Sequence, residues 1–240
     1  MTKILIPSSG PDDWQQFLAD PQKQWKRGCS AMAAALSWET AQGLPPEIAA
    51  LLGPDADLLF AIPEHKVALP GGRRESQCDV FALARAGDQT IAVAVEAKVG
   101  EPFGPTVGEW LVGASAGKTK RITFIRDLLG LPVGPIDHVR YQLLHRGAAA
   151  VLEAARFKTD RAAMIVQSFS QEHRWFEDFA TFAALFGLDA ERGTPLRHIL
   201  PSGRPLDLGW AVGSADVLRA ADPSKSTPPR MPPGGQFRPR

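Results

Sequence analysis

The chain has 240 residues, of which 44% are hydrophobic and 22% charged, with a net charge of +1. That length supports one substantial core rather than two large domains, and the near-neutral balance excludes a global basic field that would attract nucleic acid. Two cysteines, Cys29 and Cys78, form neither a disulfide framework nor a zinc site, so a reducing cytoplasm is the expected setting.

The opening apolar stretch, Ile4-Leu5-Ile6, is stopped by Pro7 and is too short for a secretory signal. No run approaches the length of a transmembrane helix. Residues 11–27 carry Trp14, Phe17, Leu18 and Trp25 among polar groups, which predicts one short amphipathic helix and a turn. A helix is expected from Ser30, as N-cap, to about Gln42, with Gly43 as its stop. Its stripe Met32, Ala35, Leu36 includes Glu39, the one charged residue between Arg27 and Glu47. After a Pro/Gly-rich connection and a short helix near Glu47–Leu52, Lys66-Val67-Ala68-Leu69 reads as a short first strand.

Two longer strand-like runs follow, with Asp79 in the first and Glu96-Ala97-Lys98 closing the second. Gly87-Asp88 between them signals a two-residue hairpin. With that loop, Asp79 lies opposite Glu96, with their Cβ atoms about 4.5–5.5 Å apart. Lys98 shares the face, because side chains alternate along a strand. Phe81, Leu83, Ala92 and Ala94 make one hairpin face apolar, and Val93, Val95 and Ala97 the other. A hairpin apolar on both faces belongs inside a sheet, so charges at its open end need a purpose. A second Glu-x-Lys triplet, Glu64-His65-Lys66, stands beside Pro63 without an apolar strand and is set aside. Gln77 and Glu75 are secondary candidates, with Glu75 the more natural surface partner of Arg73 or Arg74.

Residues 101–118 read as a glycine-rich loop. Gly113 to Thr119 imitates a phosphate-binding loop, but three residues separate Gly113 from Gly117 where the motif needs four. Lys118, Lys120, Arg121 and Arg126 form the basic face of a helix ending near Leu129, a surface suited to a phosphate backbone. Asp137 is the expected cap of a long helix from about His138 to Phe157. Its core stripe is Tyr141, Leu144, Ala148, Val151, Leu152 and Ala155, with Gln142, His145 and Arg146 on its flank. Ala162 to Phe169 is a buried strand, and Arg174 to Phe186 an aromatic-rich helix. Thr194 to Gly213 is irregular, with Leu206 to Val212 as a final edge strand. Residues 222–240 form a tail rich in proline and glycine that is expected to be disordered.

Two carboxylates are the usual protein ligands of Mg²⁺, which keeps several waters. Asp79 and Glu96 can supply them, with the Ala97 carbonyl as a third ligand, and Mn²⁺ is an alternative ion. A bound cation acidifies water and stabilises charge on a phosphoryl group. Lys98 would hold or activate the attacking water, and Arg146, Lys118, Lys120 and Arg121 would bind substrate.

Asp79, Glu96 and Lys98 resemble the motif of the PD-(D/E)XK nuclease superfamily, the restriction-endonuclease-like fold, here in a bacterial branch. Cys78 stands where the family name has proline. The match covers about twenty residues. The order of elements is similar to an αβββαβ core, which implies an α/β fold with a central mixed sheet flanked by helices, over a single nuclease-like domain at residues 1–221. The resemblance further implies Glu39 as an early-helix metal ligand and Gln142 as a polar group facing the active site. Arg146 occupies the position of a tyrosine found in one branch.

The leading expectation is therefore an Mg²⁺-dependent nuclease acting on DNA or RNA in the cytoplasm, with nucleic acid as partner and no membrane. A homo-oligomer is left open. Two rivals stand beside it: a non-catalytic binding module that keeps the fold, and a metal-dependent enzyme acting on a small phosphate ester or nucleotide. A compact site without a long basic groove favours the latter.

Overall fold

The computed structural model of the chain describes residue 8 and residues 10–220. The Pro/Gly-rich tail and the segment Ile4–Pro7 lie outside the described residues. A 3₁₀ turn at Pro11–Phe17 leads to α1 (Pro21–Gln24), α2 (Ser30–Ala41) and α3 (Pro46–Leu52). Three strands follow, β1 (Asp57–Val67), β2 (Ser76–Ala86) and β3 (Gln89–Lys98), then α4 (Val107–Leu111), α5 (Ala116–Leu129) and α6 (Tyr141–Phe157). The chain continues through β4 (Arg161–Ser168), α7 (Phe176–Ala184), β5 (Leu196–Ile199), β6 (Pro205–Val212) and α8 (Ala215–Ala220).

The six strands form one mixed sheet in the order β1-β2-β3-β4-β6-β5. β1, β2 and β3 are antiparallel neighbours, β3, β4 and β6 run parallel, and β5 closes the far edge antiparallel to β6. β3 and β4 are buried along nearly their whole length, as expected of central strands covered on both faces. On one face, α5, α6 and α7 pack against Phe81, Ala92, Ala94, Met164 and Trp210. On the other, α2 and α3 pack against Val80, Ala82, Val93, Val95 and Ile165. The fold is thus the expected α/β class, a central mixed sheet flanked by helices.

Several boundaries differ from the sequence reading. β1 begins at Asp57 rather than Lys66. Pro63 and the polar Glu64-His65-Lys66 hide it from a hydrophobicity pattern, and an edge strand tolerates proline because it need not donate on its outer side. Cys29, not Ser30, is the N-cap of α2, and the helix ends on Gln42 in the left-handed region at φ 50°. The stretch read as an irregular loop contains α4, entered through a capping box of Thr106 and Glu109.

α6 starts at Tyr141 rather than near His138. The residues before it are held elsewhere: Asp137 O accepts from Gly108 N, and Thr106 bridges to Arg140. β6 is interior rather than an edge, because β5 lies outside it. β5 escaped notice because Arg197 and His198 break any apolar alternation. Among the described residues no helix is long and apolar enough to cross a membrane.

Candidate active site

The β2/β3 hairpin turns on Gly87 and Asp88, with Ala86 facing Gln89 and the ladder running to Val80 opposite Val95. Continued by one step, that register sets Asp79 against Glu96. Here a side chain takes over from the backbone: Asp79 Oδ2 accepts the Ala97 N–H at 2.6 Å. On the other side, Pro63 pairs with Val80 and His65 with Cys78. Glu64 therefore lies across from Asp79. Glu64, Asp79 and Glu96 form a row of carboxylates over three adjacent strands, and all line one cavity of about 400 Å³. Gln142 and Arg146 of α6 wall it, and Lys23, Cys29 and Ser30 border it from the N-terminal segment.

Glu96 is 2% exposed, and its neighbours Lys98 and Arg146 are nearly as buried. Lys98 Nζ donates to Glu96 Oε1 at 2.7 Å and Gln142 Nε2 to the same oxygen at 2.6 Å. Arg146 Nε donates to Oε2 at 2.5 Å. Gln142 and Arg146 reach one carboxylate because residues four apart stack on one helix face. Arg146 Nη1 also donates to Ser76 Oγ at 2.9 Å and lies 3.2 Å from His145 Nδ1. Ser76 Oγ is 2.8 Å from that same nitrogen. An always-charged guanidinium can only donate, so Nδ1 is the acceptor of a neutral imidazole. Burial first, and the Arg146 charge second, hold the His145 pKa well below its usual value. The Lys98 ammonium also sits over the Phe103 ring, 5.0 Å from its centre.

The electrostatics divide the three acids. Burial acts to raise the Glu96 pKa, but the charges of Arg146 and Lys98 outweigh it and hold the group below the ordinary carboxylate value. Asp79 lies well above that value, through burial and then the charges of Glu96 and Glu64. Glu64 is pushed up to about 7, again chiefly by burial, against a hydrogen bond from Gln77. Lys98 loses some affinity for its proton through burial, yet Glu96 and Asp79 more than restore it, so it stays an ammonium. Glu96 is thus held ionised by its two cations, while burial and mutual repulsion favour the protonated forms of Asp79 and Glu64.

Asp79, Glu96, Lys98, Gln142 and Arg146 come together as the sequence suggested, and Gln77 joins them. Other expectations are corrected. Glu39 is not at this cavity; its Oε1 accepts from Trp14 Nε1 at 2.8 Å and Ser8 Oγ at 2.7 Å. Ala97 donates its N–H to Asp79 Oδ2 at 2.6 Å. Arg146 is spent on Glu96 and Ser76 rather than left for substrate. Arg121 is buried and donates to the carbonyls of Leu69, Pro70 and Gly72. Lys118 donates to Trp110 O, and Lys120, though exposed, does not line the cavity. Glu75 is exposed.

Two acids of the cavity were missed. Glu64 belongs to the triplet set aside for want of a strand, which β1 supplies. Glu101 follows Lys98 closely and accepts from the backbone N–H groups of Ser30, Val99 and Gly100 at 2.7, 2.9 and 2.9 Å. It ties the start of α2 to the end of β3.

Among the described residues no group of three or more His, Cys, Asp or Glu side chains stands in metal-ligating geometry. The donor chemistry nevertheless suits a hard cation. Asp79 Oδ1 has no hydrogen-bond partner among the described residues, and Glu96 Oε2 accepts a single hydrogen bond. A carboxylate offers about four acceptor positions, so both retain room for a cation.

Fold and site together define an α/β protein with an acid-rich cavity at the open end of a buried hairpin. Residues 7–215 match a family described as a domain of unknown function, DUF6946, and the chain belongs to that family. Neither a curated protein nor a solved structure matches it.

Proposed function

We propose that this protein is a metal-dependent nuclease hydrolysing phosphodiester bonds of DNA or RNA, with Asp79 and Glu96 holding Mg²⁺ or Mn²⁺. The observation that carries this reading is geometric: Asp79 and Glu96, set opposite each other on β2 and β3, line one cavity together with Lys98. The resemblance to PD-(D/E)XK nucleases rests on the same three residues. A bound cation would neutralise phosphoryl oxygens and acidify water.

The chain's own groups have distinct tasks. Lys98, held as an ammonium by Glu96, donates to water or to a phosphoryl oxygen and cannot accept the water's proton. Proton acceptance therefore falls to the carboxylate row. Gln142 and Arg146 fix the Glu96 carboxylate so that it does not rotate when substrate enters. The free thiols of Cys29 and Cys78 fit a reducing, cytoplasmic setting.

A second reading, a hydrolase of small phosphate esters or nucleotides, is favoured by the cavity itself. Its volume is about 400 Å³, and the acids Glu64, Asp79, Glu96 and Glu101 outnumber its cations Lys23, Lys98 and Arg146. The basic residues of α5 do not extend it into a groove. The deciding experiment offers single- and double-stranded DNA and RNA, and a small phosphodiester, with Mg²⁺ or Mn²⁺. Metal-dependent cleavage of nucleic acid, lost in Lys98→Ala, supports the nuclease. Turnover of the small ester alone supports the second reading, and no turnover of either refutes both.

A further inference from the structure

We propose that Ser76 and His145 are positioning residues of the candidate site, which together set the Arg146 guanidinium and, through it, the Glu96 carboxylate. The proposal rests on the hydrolytic reading above and adds two residues that neither the motif nor the resemblance supplies.

Arg146 and Glu96 line the cavity, whereas Ser76 and His145 do not. Arg146 connects the two pairs. Its Nε donates to Glu96 Oε2 at 2.5 Å, while Nη1 donates to Ser76 Oγ at 2.9 Å and lies 3.2 Å from His145 Nδ1. A guanidinium is planar and rigid, so acceptors that fix Nη1 also fix the direction in which Nε points. Without them, the hydrogen bond to Glu96 would be left to orient the group.

Consecutive residues of a helix do not face each other, so the meeting of the His145 and Arg146 side chains is set by a third group, Ser76. This first residue of β2 is 1% exposed. Its Oγ lies 2.8 Å from His145 Nδ1 and 3.2 Å from the His145 carbonyl oxygen, which joins β2 to the turn of α6 that carries Arg146. The imidazole also packs on Tyr141, one helical turn earlier, with ring centres 4.8 Å apart, and Tyr141 stacks on Trp110 at 3.9 Å. What Arg146 needs at position 145 is therefore an acceptor at the place of Nδ1. Asparagine supplies one, since its Oδ1 stands as many bonds from the backbone, and leucine fills space without one.

The test compares wild type, His145→Asn, His145→Leu and Ser76→Ala, with folding checked by circular dichroism. Two quantities are read: hydrolysis of DNA, RNA and a small phosphodiester with Mn²⁺, and NMR exchange of the Arg146 Nε–H with water in metal-free protein. His145→Leu and Ser76→Ala are expected to lower kcat about ten-fold, the scale of a hydrogen bond to a charged group, with KM unchanged and exchange faster. His145→Asn is expected to stay near wild type in both. Wild-type kcat in His145→Leu and Ser76→Ala overturns the proposal, as does a His145→Asn variant no better than His145→Leu, the mark of a packing role. Absence of wild-type turnover on every substrate overturns the hydrolytic reading alone. Exchange then decides: the same order upholds the positioning of Arg146, and equal exchange in all four proteins refutes it. Should His145→Leu not fold, Ser76→Ala decides by the same two readouts.

Discussion

Two buried carboxylates in this sheet, Glu96 and Asp207, are each gripped by two cations, on opposite faces. Asp207 accepts from Arg161 Nη1 at 2.5 Å and from Arg197 Nε at 2.7 Å. Arg161 also donates to Leu52 O, satisfying one of the carbonyls left open at the end of α3. One acid meets two bases there. Glu96 has the same grip from Lys98 and Arg146, but Asp79 and Glu64 stand beside it and a cavity opens over all three. A buried ion pair alone is weak evidence of function. Two further acids next to such a pair, facing open space, are what separate the two clusters.

The strongest way to break the comparison is at Asp79 and Lys98. Asp79→Asn and Lys98→Ala should each lower kcat of metal-dependent hydrolysis by about 10³-fold or more, within the range of a positioned proton-transfer or charge-stabilising group. Measurable wild-type turnover in either variant would reduce the Glu96 cluster to a structural one like that of Asp207. Asp207→Ala should do the reverse. It leaves Arg161 buried without its acid, which costs about 3–5 kcal/mol in urea unfolding, while turnover per folded molecule stays at the wild-type level.

Gln142→Ala sharpens the picture less drastically. It removes one hydrogen bond to a charged group and should lower kcat by about ten-fold, with little change in thermal stability. The pH dependence of stability gives a smaller signal. Glu64 has a usual value of 4.5 and is raised to about 7 in the folded chain. Its folded state therefore prefers the proton, and its contribution is complete below 4.5 and lost as pH rises through 7. Metal-free protein should lose a few degrees of melting temperature across that interval, and Glu64→Gln should flatten the loss. Smallest of all, Lys120→Ala should change neither kcat by two-fold nor stability by more than about 0.5 kcal/mol.

The hairpin was legible because its signals are local: a Gly-Asp loop between two β-rich runs fixes the register, and register alone places Asp79 by Glu96 and Lys98. Helical spacing likewise brought Gln142 and Arg146 to one flank. Tertiary pairing was not legible. β1 and β5 are edge strands whose polar residues give no apolar alternation, and they are defined by what they pair with. Glu64 was invisible for that reason, since only the β1/β2 register sets it opposite Asp79. Arg121 and Lys118 looked like a basic surface because the carbonyls that consume them come from distant turns and from α4. Glu39 shared a helix stripe with core residues, but Trp14, in a segment with weak periodicity, claimed its carboxylate.

The irregularity at Pro63 and Glu64 has a consequence for how copies of this protein behave toward one another. β1 is an eleven-residue strand at the rim of the sheet, the kind of unpaired border onto which another chain can add a strand. Pro63 has no N–H to offer, and the left-handed kink at Glu64 breaks the straight run that an incoming strand would follow. The same bend that turns a carboxylate toward the cavity also makes the rim a poorer template for an added strand.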